Sequence, residues 1–293
     1  MFKRPTTGSI VCPNCGRLVG VRDDKCLGCG RTNPGLWGFA PVLQKLGRNF
    51  GFSDVVIWGC GLLYLVTLVY DLQAALQFHS ILRIFSPANE PVFLFGASGA
   101  APIFGYDRWW TVLSAAWLHG GIIHIGFNLM WIRQLAPAVE ELYGVGRLMI
   151  LYVVSSITGF LLTSILGYLC LTGTLAFLPR FLWGAHTTLG ASASLCGLFG
   201  ALLFYGQRTG NRQMVKEVQR FAIYVLVFGL LFEGIDNWAH IGGFLGGYVA
   251  AKFLDPLKQE SPRHLLIGLV GLAAMLVAIV VSVLHGLPIL RAL

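Results

Sequence analysis

A serine and a histidine each lie near the start of an apolar segment of the chain. Small residues follow Ser192 at helical spacing, at Ala193, Gly197 and Ala201, and glycines follow His240 three and seven residues later. Helices with such bare faces approach each other closely in a membrane. Packing the two segments would bring the serine beside the histidine, and a neutral imidazole can act there as general base toward a hydroxyl.

A second polar group, His119-x4-His124-x3-Asn128, opens another apolar segment. His124 and Asn128 are four residues apart and share one face of a helix. Their N–H groups could hold the negative charge of a tetrahedral intermediate in a dry site, and His119 is a candidate accessory residue. A metal site is the alternative, but asparagine is a poor ligand for zinc or copper and no carboxylate joins these residues.

Each of these groups taken alone is more typical of helix packing than of catalysis. Asp236, one turn before His240, could orient the imidazole, although an aspartate at this place is more typical of a helix N-cap. The coincidence of the groups at one depth of the bilayer is what indicates a hydrolytic site, because polar residues inside membrane spans are costly and usually functional.

The chain also contains a second Gly-Ala-Ser motif, which ends in Ser98 and is followed by Gly99. We do not expect Ser98 to be a nucleophile. Pro102 favours an extended or turn conformation before it, so the motif should not open a helix. It also lies in a long loop that lacks a stripe of small residues.

Four of the seven cysteines form two Cys-x-x-Cys pairs that are ten residues apart, Cys12 with Cys15 and Cys26 with Cys29. Thiolates from two such knuckles can close a tetrahedron around Zn²⁺. A redox motif and two disulfides are the alternatives, but they fit less well in a segment that we place in the cytosol. The sequence therefore predicts a structural Zn²⁺ without a catalytic role.

The composition indicates that membrane-spanning elements position these residues. Of 293 residues 56% are hydrophobic and 12% are charged, against roughly 25% charged residues in an average soluble domain. The mean hydropathy is +0.71. These values exclude a soluble enzyme, a secreted disulfide scaffold and a disordered protein. The net charge of +8 indicates basic cytoplasmic loops and not a nucleic-acid partner.

Seven apolar segments approach the roughly 20 residues that cross a bilayer. They are Val55–Leu76, Leu118–Val139, Leu148–Thr172, Leu189–Gly206, Phe221–Phe232, Asn237–Leu254 and Leu265–Leu284. Basic residues cluster in the N-terminal segment and after the fourth and sixth spans, which predicts a cytoplasmic N-terminus and an external C-terminus. Fewer lie on the other side, namely Arg83, Arg108, Arg180 and Arg291. The long first external loop is rich in aromatic residues, which suits the membrane interface.

The three motifs, in this order and topology, resemble those of the rhomboid family of intramembrane serine proteases. The resemblance extends from the first span to the sixth. It implies an all-α polytopic membrane protein, a rhomboid-like bundle of six spans plus one C-terminal span (6+1). We expect a zinc-ribbon-like module at residues 1–35, a linker at 36–54, the catalytic core at 55–254, and a cytoplasmic loop, seventh span and external tail at 255–293.

The resemblance further implies a Ser–His dyad, in which Ser192 is the nucleophile and His240 the general base. The Ser192 backbone N–H and the side chains of His124 and Asn128 would hold the oxyanion. Implied partners are transmembrane protein substrates and membrane lipid, with no nucleic acid, and the zinc module could dock a cytoplasmic partner. The location expected is a cell membrane, with several passes.

The chain departs from the common rhomboid pattern at three places. Ala193 replaces the glycine after the nucleophile, Cys196 replaces an aromatic residue, and Trp110 is followed by Thr111 instead of arginine. The main alternative function is a catalytically silent rhomboid-like protein that binds transmembrane clients. A zinc-regulated transporter is a more remote alternative, since paired intramembrane charges and broken repeats are missing.

Overall fold

The computed structural model describes residues 7–48, 51–77, 84–232 and 234–292. Arg83 and the first six residues of the predicted module lie outside these ranges. The described part is helical apart from one small sheet, and each of the seven predicted apolar segments corresponds to one long helix. These helices are α2 (Phe52–Tyr70), α6 (Ile122–Tyr143), α7 (Val145–Leu171), α8 (Ser192–Thr209), α9 (Arg212–Leu231), α10 (Asn237–Phe253) and α11 (Pro262–Ala292).

Three of the described helices are long and apolar enough to cross a membrane by themselves: Phe52–Tyr70, Val145–Leu171 and Pro262–Arg291. A fourth span results if Thr111–Trp117 and Ile122–Tyr143, which meet at 94°, are counted together. Helices α8 and α10 have 18 and 17 residues. At about 1.5 Å per residue, each is about 27 Å long or shorter, which is less than the roughly 30 Å thickness of the hydrocarbon core. Both are packed among the longer helices.

Two of these helices begin more than three residues from the predicted start, for identifiable reasons. Helix α9 begins at Arg212 and not at Phe221, because the basic residues that precede the apolar stretch continue the same helix and Asn211 caps it through a hydrogen bond from Met214 N. Helix α6 begins at Ile122 and not at Leu118, because the chain first completes a 3-10 turn over Ala115–Trp117 and then bends.

The small residues of α8 and α10 allow these helices to pack backbone against backbone. A side chain at Gly243 would overlap the carbonyl of Ala193, and one at Gly247 would overlap the carbonyl of Gly197. Helix α7 closes the third side, since a Cβ at Gly159 would lie 2.6 Å from the Ala239 carbonyl oxygen. The predicted match between the two small-residue faces is therefore present in the fold.

The segment between α2 and α6, called the first loop here, is folded throughout its described part. It contains the short helices α3 (Leu72–Ala75), α4 (Asn89–Leu94) and α5 (Thr111–Ser114), with a π-helical turn at Ala101–Gly105. Several of its aromatic side chains are exposed, among them Phe85, Phe104 and Trp109. The described part of this loop is thus folded as a part of the bundle and is not a tether.

The N-terminal module pairs strand β1 (Ser9–Val11) with strand β2 (Leu18–Gly20) in antiparallel register. Its small core also includes Leu36 and Ala40, which follow the predicted boundary at residue 35. Helix α1 (Ala40–Arg48) leads toward the bundle. The module contacts the start of α11, where Arg31 Nη2 donates to Ser261 Oγ at 3.2 Å and Arg263 Nη2 donates to the Thr32 carbonyl at 3.2 Å.

Candidate active site

Ser192 is the first residue of α8, after a turn that only glycine adopts easily. Gly190 has φ of +127°, and a Cβ at this position would lie 2.7 Å from Nε2 of His124. Gly190 is therefore needed for its backbone conformation and for the space it leaves. The turn exposes the Ser192 hydroxyl at the N-terminal end of the helix, where the backbone N–H groups of the first turn have no intrahelical partner.

His240 lies in the first turn of α10, with 9% of its surface exposed. Its Nε2 is 2.9 Å from Ser192 Oγ. If Nε2 accepts from the hydroxyl, the ring proton is on Nδ1, which has no hydrogen-bond partner among the described residues. The close packing of α8 against α10 sets this distance, because both residues are at the same end of the two helices. This end of the bundle is called the active-site end below.

Asp236 caps α10, as its position in the sequence indicated. Its Oδ1 accepts from the Ala239 amide at 3.0 Å and from Thr163 Oγ1 at 2.9 Å. The carboxylate makes no hydrogen bond to the ring of His240 among the described contacts. Its place is therefore that of a helix cap that ties α10 to α7, and in this geometry it is not the third member of a triad.

His124 faces the turn that carries Ser192. Its Nδ1 accepts from the Gly120 amide at 3.3 Å, so the ring proton is on Nε2, the atom beside Gly190. Asn128 is buried, and its Nδ2 donates to the His124 carbonyl at 2.8 Å, which leaves its second N–H for another acceptor. His119 packs edge-on to His124 at 5.1 Å, and its ring nitrogens have no partner in the described structure.

Ser98 has very different surroundings. It is fully buried, its Oγ lies 3.3 Å from Thr111 Oγ1, and its backbone exchanges two hydrogen bonds with Thr188 at 2.9 and 2.7 Å. Ser98 does not open a helix, as expected, since it lies in a backbone bridge with Thr188, but a π-helical turn starts three residues later at Ala101 in spite of Pro102. Proline is tolerated there because the first residues of a helical turn need no N–H donor.

The four cysteines of the N-terminal module lie at distances that suit one metal ion. Their sulfur atoms are all within 4.8 Å of one another. Cys12 Sγ lies 3.8 Å from Cys29 Sγ, and Cys15 Sγ lies 3.6 Å from Cys26 Sγ. Four thiolates around Zn²⁺ at 2.3 Å would be about 3.8 Å apart. None of the four is in a disulfide, so this cluster could hold a metal ion.

The backbone around these cysteines forms two similar knuckles. The glycine after each pair has positive φ, +75° at Gly16 and +73° at Gly30. Each glycine amide donates to the carbonyl of the first cysteine of its pair, at 2.9 and 2.8 Å. A side-chain hydrogen bond from Asn14 lowers the pKa of Cys29 to about 6. The two turns thus hold the four sulfur atoms on one side of the module.

Comparison with known proteins places the bundle in a family. The Rhomboid domain matches residues 106–256, which is more than half of the chain. The chain belongs to the rhomboid family. It is 31% identical over 157 residues to a protein named putative rhomboid protease YdcA of Bacillus subtilis, which covers 52% of the chain and 70% of that relative.

Two other relatives illustrate the range of rhomboid similarity. Rhomboid protease GluP of Bacillus subtilis is 30% identical over 206 residues, which is 69% of this chain and 37% of the relative. RHOMBOID-like protein 4 of Arabidopsis thaliana is 28% identical over 170 residues, which is 57% of the chain and 39% of the relative. The chain therefore spans well under two thirds of the length of both.

The matched rhomboid domain contains the polar residues that converge at the active-site end, and it leaves out other parts of the fold. His119, His124, Asn128, Ser192 and His240 lie inside residues 106–256. The cysteine module, the Ser98 motif and helix α11 lie outside. The sequence did not indicate that Arg108, which also lies inside the match, has a fully buried side chain.

Proposed function

We propose that this chain is an intramembrane serine endopeptidase that hydrolyses peptide bonds in or near transmembrane segments of membrane proteins. The observation that carries the proposal is the 2.9 Å contact between Ser192 Oγ and His240 Nε2. Family membership and relatives named as rhomboid proteases support the same activity. The hydroxyl lies in a partly buried site, where a neutral histidine is a competent base.

The proposed reaction follows the usual course of acyl transfer. His240 Nε2 accepts the hydroxyl proton while Ser192 Oγ attacks the scissile carbonyl, which becomes a tetrahedral oxyanion. The imidazolium then protonates the leaving amine, and the C–N bond breaks to leave an ester on Ser192. Water adds to this ester with His240 again accepting a proton, and the collapse of the second intermediate releases the new carboxyl end and restores the serine.

We infer that three donors would hold the oxyanion. The Ser192 amide is at the free N-terminal end of α8, the Nε2–H of His124 faces the Gly190 turn, and Asn128 has one unused amide N–H. Hydrogen bonds that strengthen as the charge develops lower the barrier. Asn128 contributes after a small side-chain rotation, because its Nδ2 is bonded to its own helix here.

The alternative is a rhomboid-like protein that binds transmembrane clients without cutting them. The presence of Cys196 where the resemblance implies an aromatic residue favours it, as does the unpartnered Nδ1 of His240. Covalent labelling with a fluorophosphonate separates the two functions. The protease labels at Ser192 and cleaves a reporter transmembrane substrate, and Ser192→Ala does neither. Absence of label on the folded wild-type protein would exclude the protease.

We also propose that the four-cysteine module binds one structural Zn²⁺, held by Cys12, Cys15, Cys26 and Cys29. The sulfur–sulfur distances and the two knuckles support zinc over a disulfide pair. The metal would fix the fold of the module and would supply nothing to peptide hydrolysis, since the cluster belongs to a separate hydrophobic core. Metal analysis of the purified protein tests this, with about one zinc expected for a closed four-ligand site.

The proposed membrane is the plasma membrane. In the proposed orientation, the module and the α8–α9 and α10–α11 loops are in the cytoplasm. The active-site end and the C-terminus face the outside of the cell. The bias of basic residues supports it. The domain division at residues 35, 54 and 254 belongs to the same proposal. Reporter fusions at the two termini test it, and an external N-terminus would reverse the orientation.

A further inference from the structure

Arg108, in the first loop, is fully buried without a carboxylate partner in the described structure. Both terminal nitrogens of its guanidinium donate to backbone carbonyls, while Nε has no partner among the described residues. Nη1 donates to the Phe93 carbonyl at 2.7 Å, and Nη2 donates to the Leu94 carbonyl at 3.3 Å and the Ser282 carbonyl at 2.9 Å. A buried charge is strongly destabilising unless it is bonded in this way. Arg108 therefore joins the C-terminal end of α4 to the middle of α11.

The same serine of α11 receives a second contact from the first loop. Trp110 Nε1 donates to Ser282 Oγ at 3.0 Å, and its ring lies 5.2 Å from that of His285. The two surfaces touch closely, because a Cβ at Gly96 would overlap the hydroxyl of Ser282. Ser282 therefore binds the first loop through two groups: its hydroxyl accepts from Trp110, and its backbone carbonyl accepts from Arg108.

The first loop in turn holds the segment that leads to Ser192. Thr111 Oγ1 donates to the Arg108 carbonyl at 2.7 Å and also contacts Ser98. Ser98 makes two backbone hydrogen bonds with Thr188, and the Gly190 amide donates to the Ala115 carbonyl at 2.9 Å. A chain of direct contacts therefore runs from α11 through the loop to the turn before Ser192.

We propose that α11, a helix outside the matched rhomboid domain, positions the nucleophile. Ser282 fixes Arg108 and Trp110, these fix the first loop, and the loop fixes the 188–190 segment and with it the Ser192 hydroxyl. Arg108, Trp110 and Ser282 are positioning residues, since none of them contacts the dyad. The expected effect on the reaction rate rests on the proposed catalytic role of Ser192. The link between α11 and residues 188–190 can be measured whether or not Ser192 is catalytic.

Arg147 supplies a matched control at the other end of α11. It is also a buried arginine that donates to backbone carbonyls. Its Nη1 donates to the carbonyls of Tyr143 at 3.1 Å and Lys258 at 2.8 Å, and its Nη2 donates to the carbonyl of Gln259 at 3.1 Å. It thereby holds the connection into α11. None of these partners belongs to the first loop or to residues 185–191, so loosening Arg147 should disturb α11 without disturbing the first loop.

The experiment compares Arg108→Lys, Trp110→Phe and Ser282→Ala with Arg147→Lys in the full chain. Two quantities are measured well below each melting temperature: the rate at which a fluorophosphonate labels Ser192, and amide hydrogen exchange of residues 185–191. We expect Arg108→Lys to slow labelling about tenfold, since small displacements of a nucleophile cost up to about 10²-fold. It should also speed exchange at 185–191 and lower kcat more than it raises KM.

Arg147→Lys should keep the wild-type labelling rate and the wild-type exchange at 185–191, even where its melting temperature falls. Trp110→Phe and Ser282→Ala should each slow labelling by less than Arg108→Lys and by the same factor, because both remove the Trp110–Ser282 hydrogen bond. For the same reason the double variant should label no more slowly than either single variant. These two milder variants decide the question if Arg108→Lys does not fold.

Equal defects in Arg108→Lys and Arg147→Lys would overturn the inference, since α11 would then act only through stability. Slower labelling with unchanged exchange at 185–191 would also overturn it. A wild-type protein that takes no label would defeat the proposed function, while the exchange comparison would still show whether α11 holds the segment before Ser192.

Discussion

The chain contains the same three residues, Gly-Ala-Ser, twice, and the two copies have opposite surroundings. Ser192 begins a helix and lies 2.9 Å from His240 Nε2. Ser98 is locked into a backbone bridge with Thr188, and its hydroxyl is bonded to Thr111. The local sequence does not separate the copies, since Ser98 even has the glycine after the serine. What separates them is whether a helix that carries a histidine can pack against the serine.

The first motif also lies beside the segment that leads to the second. The bridge between Ser98 and Thr188 places the first motif beside the turn that carries the second. The first motif thus supports the segment before the second motif. This role explains why a glycine is needed at position 99. Gly99 has φ of +128°, and a Cβ there would overlap the backbone of His186.

The largest effect should come from removing the dyad. Ser192→Ala and His240→Ala should each lower the cleavage of a reporter transmembrane substrate by about 10⁴-fold or more, which is loss of detectable activity on a gel. The physical reason is that no other described hydroxyl lies within hydrogen-bond distance of His240. The assay uses matched expression and matched melting temperatures. Cleavage by Ser192→Ala would remove the distinction between the two motifs.

Removing one of the proposed oxyanion donors should have the second-largest effect on activity. His124→Ala and Asn128→Ala should each lower kcat about 10²-fold while changing KM little, because they act on charge that develops in the transition state. His186→Ala, which alters an exposed histidine in the loop before Ser192, is the matched control and should keep its kcat. If both variants had wild-type kcat, the Ser192 amide alone would hold the oxyanion.

Helix packing can be tested directly at Gly243. Gly243→Ala puts a methyl group against the Ala193 carbonyl, and overpacking of this kind costs typically 1–3 kcal/mol. We expect a lower melting temperature and slower labelling of Ser192, because α10 must move away from α8. Gly61→Ala on α2, where a Cβ has nothing within 4 Å, should have neither effect. Wild-type labelling in Gly243→Ala would show that close packing does not set the dyad distance.

The position of the active-site end could be predicted from the sequence because it depends on helical periodicity. The small-residue faces around Ala193 and Gly243 are visible in the sequence, and so is the capping position of Asp236. The folding of the first loop could not be predicted, because it depends on contacts between distant segments. Arg108 bonds to Ser282, 174 residues away, and no local pattern announces such a contact.

A smaller effect on catalysis is expected from the metal module. Cys12→Ser and Cys29→Ser in the full chain should abolish zinc binding yet leave Ser192 labelling in detergent within about twofold of wild type, the size of a typical surface change. The reason is that the cysteine cluster has its own core and touches the bundle at the start of α11. Cys170→Ser, a buried cysteine outside the cluster, should retain zinc. Loss of labelling in the zinc-free protein would contradict a purely structural metal.

The smallest effect should come from Ser98→Ala, although its motif has the better sequence pattern. The substitution removes the hydroxyl that lies 3.3 Å from Thr111 Oγ1, a single hydrogen bond worth about 1 kcal/mol. Both backbone bonds to Thr188 remain, since alanine keeps the N–H and the carbonyl. Thr111 Oγ1 also keeps its bond to the Arg108 carbonyl, so the loop retains its attachment. We therefore expect a slightly lower melting temperature and most of the wild-type cleavage in the same gel assay. Loss of cleavage in Ser98→Ala, with Ser192→Ala still cutting, would exchange the roles of the two serines and overturn the proposed site.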